Sequence, residues 1–549
     1  MKPQQDNRIL QVLIALAVLA NFSGLMVPIM DYDAGVYAAL SKNITQSNNW
    51  LELYFQNNDW LDKPHFPFWV TAVFFEIFGI STWSYKLPGI LFILIAAYYT
   101  WRFTLQYYDR TVASWAVLIL LTAEHTIISS NDVRAEPFLA GLIMGSVYHF
   151  SRVLKTNSYR HLLLAALFAG CAIMTKGIFT LFPIGGAVAA ELLIRKDWKG
   201  LFHPRWLLAL LLIIVFISPE LYSLWYQFDQ HPEKTVFGKN NVSGIKFFLW
   251  DSQFGRFVNE APMKGKGDPF FFFHTLLWAF LPWSLLMYTA LFKKLKGGFR
   301  QTGGEWFTLG GSLLALLIFS LSRFQLPYYT NIIFPFLAVL SAVLITGYIQ
   351  TTSAVFRVIQ YIIMFIMLAG GAFLLYFYRA ALPHPVLILL TTALLVFLVL
   401  FPRFMGGTSG ARVYFRSAIA VIILNLLLNW FFYPDLLRYQ SASEAAFYLN
   451  RLPEKNQPVY ASVYAPVFEF YTNSSSFRAD TLAAHDASRF VPGTWYVSDK
   501  ELRLLKEKGK EIEIIRELDD FHVTMLTLKF VNPATRHREL KKCWLIRIR

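Results

Sequence analysis

The sequence predicts a polytopic α-helical membrane protein with a small α/β domain at its C-terminal end. Three observations predict it. The 549 residues are 56% hydrophobic and only 15% charged, with a mean hydropathy of +0.43, whereas a soluble domain carries about a quarter charged residues. Apolar runs such as 9–29 and 206–226 are long enough to cross a bilayer. After Tyr433 the long apolar runs stop and charged residues become frequent.

The remaining bulk properties fit that class. A formal charge of +15 reads as Lys and Arg gathered in cytoplasmic loops, so nucleic acid is not an expected partner. Two cysteines, Cys171 and Cys543, supply no disulfide framework. The first apolar run has no small-residue cleavage site before Asp31 and is read as a retained span.

About thirteen spans are expected, over 9–29, 87–107, 112–129, 136–153, 161–175, 177–194, 206–226, 271–292, 305–321, 326–347, 357–378, 384–402 and 416–433. With the N-terminus cytoplasmic, the inner segments hold Arg152/Lys155/Arg160, Arg195/Lys196/Lys199/Arg205, Lys293/Lys294/Lys296/Arg300 and Arg403/Arg412/Arg416. The outer turns hold single bases: Arg134, Lys176, Arg323 and Arg379. That asymmetry sets the orientation. The short apolar stretch 66–80, bracketed by Pro64, Pro67 and Gly79, is read as a helix lying at the outer interface. The expected organisation is a membrane domain over 1–433, with outer loops 30–86 and 227–270, and an extracytoplasmic domain over 434–549. Within the latter, helices are expected at 441–451 and 502–508, and strands at 458–463, 511–515 and 524–530.

Charged groups at a membrane face are costly and therefore mark function. Five clusters fall on the outer side: Asp31-Tyr-Asp33 with Tyr37; Trp60-Leu-Asp62-Lys63-Pro64-His65; Asn131-Asp132-Val-Arg134-Ala-Glu136; Asp251 with Arg256; and Ser322-Arg323 with Tyr328 and Tyr329. Taken singly, several have a plainer reading. Lys63 and Arg323 suit outer-leaflet anchors whose stems run along apolar surface, and Glu136 beside Pro137 suits a helix start. The aromatic run 270–273 suits lipid-facing packing. No HExxH or CxxC spacing supports a metal site.

The clusters also carry a resemblance. Asp33-Ala-Gly-Val-Tyr37 resembles the Asp-Glu-x-x-Tyr segment that opens the first outer loop of GT-C-fold membrane glycosyltransferases. Asp62-Lys63-Pro64-His-Phe-Pro-Phe-Trp69 resembles their Glu-Lys-Pro-Pro-x-x-Tyr-Trp. Ile77-Phe78-Gly79 with Lys86-Leu87-Pro88 resembles Phe-Gly…Arg-Leu-Pro. Residues 269–284 resemble an aromatic run ending in Leu-Pro-Trp, and Ser322-Arg323…Leu326-Pro327-Tyr328-Tyr329 resembles Ser-x-Lys-x-x-Leu-Pro-x-Tyr. The matches run in family order over about 9–350 and are most similar to the aminoarabinose transferases and the protein O-mannosyltransferase-like group. The chain departs from the pattern at Ala34, where an acid is usual, at Val36, where a base is usual, at Glu136, often Asp, and at Asp62, usually Glu.

The resemblance implies a GT-C-type enzyme of the bacterial inner membrane that moves a sugar from a polyprenyl-phosphate donor to a lipid A-like glycolipid, glycan or protein acceptor, with inversion. Asp33 would be the base toward the acceptor hydroxyl, with Glu136 as a second catalytic carboxylate. Lys63, Arg256 and Arg323 would hold the donor phosphate. Asp31, Tyr37, His65, Tyr328 and Tyr329 would line the site. No cofactor is required, and a divalent cation at Asp62 is left open. A transporter or flippase of lipid-linked sugars is the alternative of another class, distinguished by internal repeats and helices broken at mid-membrane. A membrane scaffold whose outer domain binds envelope partners is a third.

Overall fold

The computed structural model describes residues 2–30, 32–56, 58–255, 266–297, 304–348, 354–378, 409–452, 459–473, 476–478 and 490–549, with isolated helical positions between 385 and 400. Nine helices carry the first part: α1 Lys2–Phe22, α2 Asp33–Ser47, α3 Phe66–Phe78, α4 Thr82–Tyr107, α5 Arg110–Thr122, α6 Glu124–Asn131, α7 Ala135–Thr156, α8 Tyr159–Lys176 and α9 Leu181–Ile194. Further helices follow at Arg205–Leu224, Phe271–Ala279, Ser284–Lys296, Phe307–Leu321, Phe334–Tyr348, Ala354–Tyr378 and Ser409–Leu427. Among the described residues five helical stretches are long and apolar enough to cross a membrane alone, six when α5 and α6, bent by 52°, count as one. Shorter apolar helices accompany them, among them Ile178–Ile194 and Phe307–Leu321. The expected span at 384–402 lies almost wholly outside the described residues.

Local chemistry explains where the helices begin and stop. The expected first span, 9–29, ends at Phe22 because the chain must turn beneath α6. A Cβ on Gly24 would stand 1.5 Å from Oδ1 of Asn131, so a larger residue there would displace the Asn131 side chain. The freed carbonyls of Gly24 and Val27 accept hydrogen bonds from Nζ of Lys86, at 3.1 and 2.6 Å. Lys86 is fully buried in α4 and answers the need for donors where a helix runs out. Asp109 caps α5 through the amides of Thr111 and Val112, at 2.8 and 2.9 Å. The stretch expected to lie at the interface forms α3, thirteen residues long, exposing Val73, Ile77 and Phe78.

The C-terminal part is a five-stranded sheet flanked by helices. Its strands are β3 Val459–Ala461, β4 Ser476–Arg478, β5 Gly493–Ser498, β6 Ile512–Asp520 and β7 Lys541–Ile548, after a small β1–β2 hairpin at Tyr54–Phe55 and Asn58–Asp59. The order is β4-β3-β5-β7-β6, with β3 parallel to β4 and β5, and β7 antiparallel to β5 and β6. Trp495, Val497, Leu502, Leu505 and Ile546 close a core of their own. One expectation is corrected. The strand expected at 524–530 is absent, and Leu528–Val531 is a helical turn. Thr527 caps it, its hydroxyl accepting from the Phe530 amide at 3.1 Å, and Pro533 supplies no amide to continue a ladder.

This sheet domain sits on the segment between α1 and α3, not apart from it. Nζ of the buried Lys42 in α2 donates to the carbonyls of Glu469, Phe470 and Thr472, at 2.7, 3.1 and 2.7 Å. Oε1 of Glu469 in turn accepts from Asn43 at 2.9 Å and from the Gln56 amide at 3.3 Å. Tyr471 accepts the Ile29 amide at 2.8 Å. These bonds hold the second half of α2 and the segment before it, on either side of Asp33, against the domain.

Candidate active site

Four separated stretches deliver charged groups to one pocket. α2 brings Asp33 at its first residue, the loop before α3 brings Asp62 and Lys63, the α6–α7 turn and the first turn of α7 bring Arg134 and Glu136, and the end of α8 brings Lys176. Tyr37, Trp60, Tyr328, Tyr329 and Tyr464 complete the walls of a cavity of about 690 Å³.

The charges are interlocked. Arg134 donates to Oδ2 of Asp33 at 2.7 Å and to Oδ2 of Asp132 at 2.6 and 3.0 Å, its guanidinium lying 4.6 Å from the centre of the Tyr328 ring. The Tyr328 hydroxyl donates to the same Oδ2 of Asp33 at 3.0 Å. Two donors therefore fix Asp33, whose side chain stays 52% exposed and open to a substrate. Burial works against the charge of Arg134, but Asp132, Tyr328 and Asp33 outweigh it and hold the guanidinium pKa above its ordinary range. Lys63 pairs with Asp62. Lys176 pairs with the buried Glu136 and stands 3.8 Å from the centre of the Tyr329 ring. Burial first, then Glu136, Asp33 and Asp62, push the Tyr37 phenol well above its ordinary pKa, so it is neutral and serves as a donor or wall.

Of the residues singled out from the sequence, Asp33, Tyr37, Asp62, Lys63, Glu136, Tyr328 and Tyr329 share this pocket. His65 does not line it. It is buried beneath, its amide and Nδ1 both bound to the carboxylate of Glu220, at 2.9 and 3.0 Å. Arg323 is exposed and is not among the lining residues. Asp31 and Arg256 lie outside the described residues. A metal at Asp62 does not fit the donors present. Among the described residues no three His, Cys, Asp or Glu side chains gather to hold an ion, and the Asp62 carboxylate is engaged by Lys63.

Lys176 and Tyr464 join the pocket, and Glu220 supports it through His65, from positions the sequence reading did not place in a functional cluster; Arg134 and Trp60 were named there only as cluster members. Lys176 was visible only as the single base of an outer turn, which nothing in the sequence tells from a lipid anchor, and Arg134 stood in the 131–136 cluster without an assigned partner. Glu220 did carry a signal, a carboxylate near the end of a strongly apolar run. Next to the pocket, sharing Lys176, Phe324 and Tyr329 with it, lies a mostly apolar cavity lined also by Leu139, Phe179, Ile318 and Ile332.

The family model for dolichyl-phosphate-mannose-protein mannosyltransferase matches residues 62–223. The undecaprenyl phosphate-α-4-amino-4-deoxy-L-arabinose arabinosyl transferase of Edwardsiella ictaluri is 25% identical over 319 residues, 57% of this chain and 54% of that one. Its counterpart from an Enterobacter species is 26% identical over 325 residues, 56% and 53% of the two chains. The chain thus spans about half the length of the curated relatives it matches. The crystal structure of ArnT from Cupriavidus metallidurans bound to undecaprenyl phosphate superposes with a TM-score of 0.72, covering 97% of both chains at 16% identity. The apo form gives 0.71. The fold therefore defines a helical membrane protein of the GT-C type. In sequence, over about half its length, the chain is similar to the aminoarabinose transferases.

Proposed function

We propose that the protein is a glycosyltransferase that moves a sugar from a polyprenyl-phosphate carrier to a lipid A-like glycolipid, glycan or protein acceptor at the outer face of the inner membrane. The observation that carries this reading is the convergence of Asp33, Lys63, Arg134 and Lys176 in one cavity that opens beside an apolar one. A polyprenyl-phosphate sugar needs both halves: cations for its phosphate and an apolar slot for its first isoprene units.

The chemistry follows from the groups. The anomeric C–O bond breaks as the phosphate leaves with the electron pair. Lys63 and Lys176, exchanging Asp62 and Glu136 for the phosphate, stabilise the growing negative charge where water is scarce. Asp33, held by Arg134 and Tyr328, takes the proton of the acceptor hydroxyl as its oxygen attacks the anomeric carbon. One carboxylate suffices for a single in-line displacement, which inverts the anomeric centre. Asp31, Arg256 and Arg323 keep their expected contribution only as a proposal for the substrate-bound state. About thirteen crossings, a cytoplasmic N-terminus and an outer C-terminal domain complete the reading, on the distribution of Lys and Arg. No specific observation favours the flippase alternative.

The test is turnover by the purified protein. Radiolabelled polyprenyl-phosphate sugar and an envelope extract, without ATP or nucleotide sugar, are expected to yield labelled acceptor and free polyprenyl phosphate. Intact donor after incubation with folded protein overturns the proposal.

A further inference from the structure

The helical turn that stands where a strand was expected leaves an apolar tip uncovered. Met525, Leu526 and Leu528 are 70%, 40% and 78% exposed. Apolar residues exposed singly are ordinary, but three within four positions of one loop call for a partner. The reaction described above uses none of them.

Packing fixes where the tip stands. The inward side of the same turn is the fully buried Phe530, whose ring lies 6.1 Å from Tyr378 and 5.2 Å from Tyr439. Tyr378 ends the apolar helix Ala354–Tyr378, and Tyr439 ends the apolar stretch Ala411–Tyr439, each long enough to cross a membrane. Arg536 locks the join. Its Nη2 donates to the Tyr378 carbonyl at 2.8 Å and its Nη1 to the Tyr439 hydroxyl at 3.2 Å, and a cation suits the negative end of a helix. The tip is thus carried at the ends of two candidate spans, where hydrocarbon gives way to headgroups.

The charge around the tip is one-sided. Between 525 and 541 four bases, Lys529, Arg536, Arg538 and Lys541, stand against one acid, Glu539. Glu539 accepts from the Thr527 hydroxyl at 3.2 Å, and Arg536 is occupied by the two tyrosines. Lys529 and Arg538 are exposed, and among the described residues neither forms an ion pair. Apolar side chains flanked by unpaired cations suit the interface of an anionic bilayer.

We infer that this tip is a lipid-docking surface. Met525, Leu526 and Leu528 enter the acyl region of the adjoining leaflet, and Lys529 and Arg538 take the phosphate of an anionic phospholipid. The occupant is bilayer lipid because the tip is built onto the span ends and carries cations beside its apolar residues. The sheet domain is then held twice, by α2 through Lys42 and by the membrane through this tip. The inference depends neither on the transferase reading nor on which side of the membrane the domain lies.

Labels on the full-length protein in lipid nanodiscs test it, in a Cys171→Ala/Cys543→Ala background. A nitroxide at Met525→Cys or Leu528→Cys is expected to meet a water-soluble nickel chelate about fivefold less often than one at Lys508→Cys, and oxygen more often. Equal nickel accessibility at the three sites overturns the insertion. Dipolar broadening between Leu528→Cys labels on two copies puts a second chain on the surface and overturns it too. The headgroup is tested with a fluorophore at Met525→Cys, in phosphatidylcholine discs holding a minority of brominated phosphatidylglycerol or, as control, of brominated phosphatidylcholine. Brominated phosphatidylglycerol is expected to quench about twofold or more strongly, and Lys529→Gln/Arg538→Gln to make the two lipids equal. Equal quenching with both bases present, or a preference that survives their loss, overturns the phosphate seat.

Discussion

Asp33 is held by two donors, yet it does not look so in the sequence, where it is one acid just past an apolar run. Its setting comes from Arg134 and Tyr328, 101 and 295 residues away. Sequence patterns showed that Asp33, Lys63 and Glu136 belong to one family of segments. They did not show which base meets which acid, because long-range ion pairing leaves no local trace. Lys63 is expected to act on the donor. Lys63→Ala should raise the donor KM by about tenfold or more, a loss in the range of one charge-assisted hydrogen bond, and donor titration checks it. Glu220 acts at one remove. Its carboxylate holds both the amide and the ring of His65, and so fixes the loop that carries Lys63. Glu220→Gln should weaken donor use in the same direction, and the double variant with Lys63→Ala should add little. Full additivity in that cycle would contradict a shared pathway through Lys63.

Elements were legible wherever hydrophobic period and length agreed, as for α4, α7 and Ala354–Tyr378. They were misread where capping decided the outcome. Residues 524–530 have the composition of a strand, but Thr527 and Pro533 make a helical turn there. The α1 stop at Phe22 needed Gly24 and Lys86, whose meeting is tertiary. The clamp between α2 and the sheet domain was equally invisible, and it carries a pH signature. Burial raises the Glu469 carboxyl to about 7, against hydrogen bonds from Asn43 and Gln56 and the nearby charge of Lys42. A carboxyl raised on folding binds more protons in the native state between its unfolded value and its folded one. Stability from this group is therefore full below about 4.5 and is lost as pH rises toward about 7. Lys42, lowered by burial to about 8, titrates above that window. The melting temperature of Glu469→Gln should accordingly fall less between pH 5 and 7 than that of the wild type. Parallel melting curves for the two proteins would rule the clamp out as the source.

At the scale of the whole molecule, the fold brings charged groups from the first loop, the α6–α7 turn and the end of α8 to one face, with the sheet domain above them. The orientation proposed from the basic clusters is open to direct measurement. Lys508→Cys should react with a membrane-impermeant maleimide in intact spheroplasts, and Lys196→Cys only after permeabilisation. The reverse pattern would invert the topology and put the site on the cytoplasmic face. The central claim is that Asp33 receives the acceptor proton in this pocket. Single-turnover release of polyprenyl phosphate from bound donor and acceptor by Asp33→Asn tests it most directly. The account predicts a rate lower by about two orders of magnitude or more, with donor affinity within about threefold of wild type. Release at the wild-type rate by a normally folded Asp33→Asn protein would contradict it.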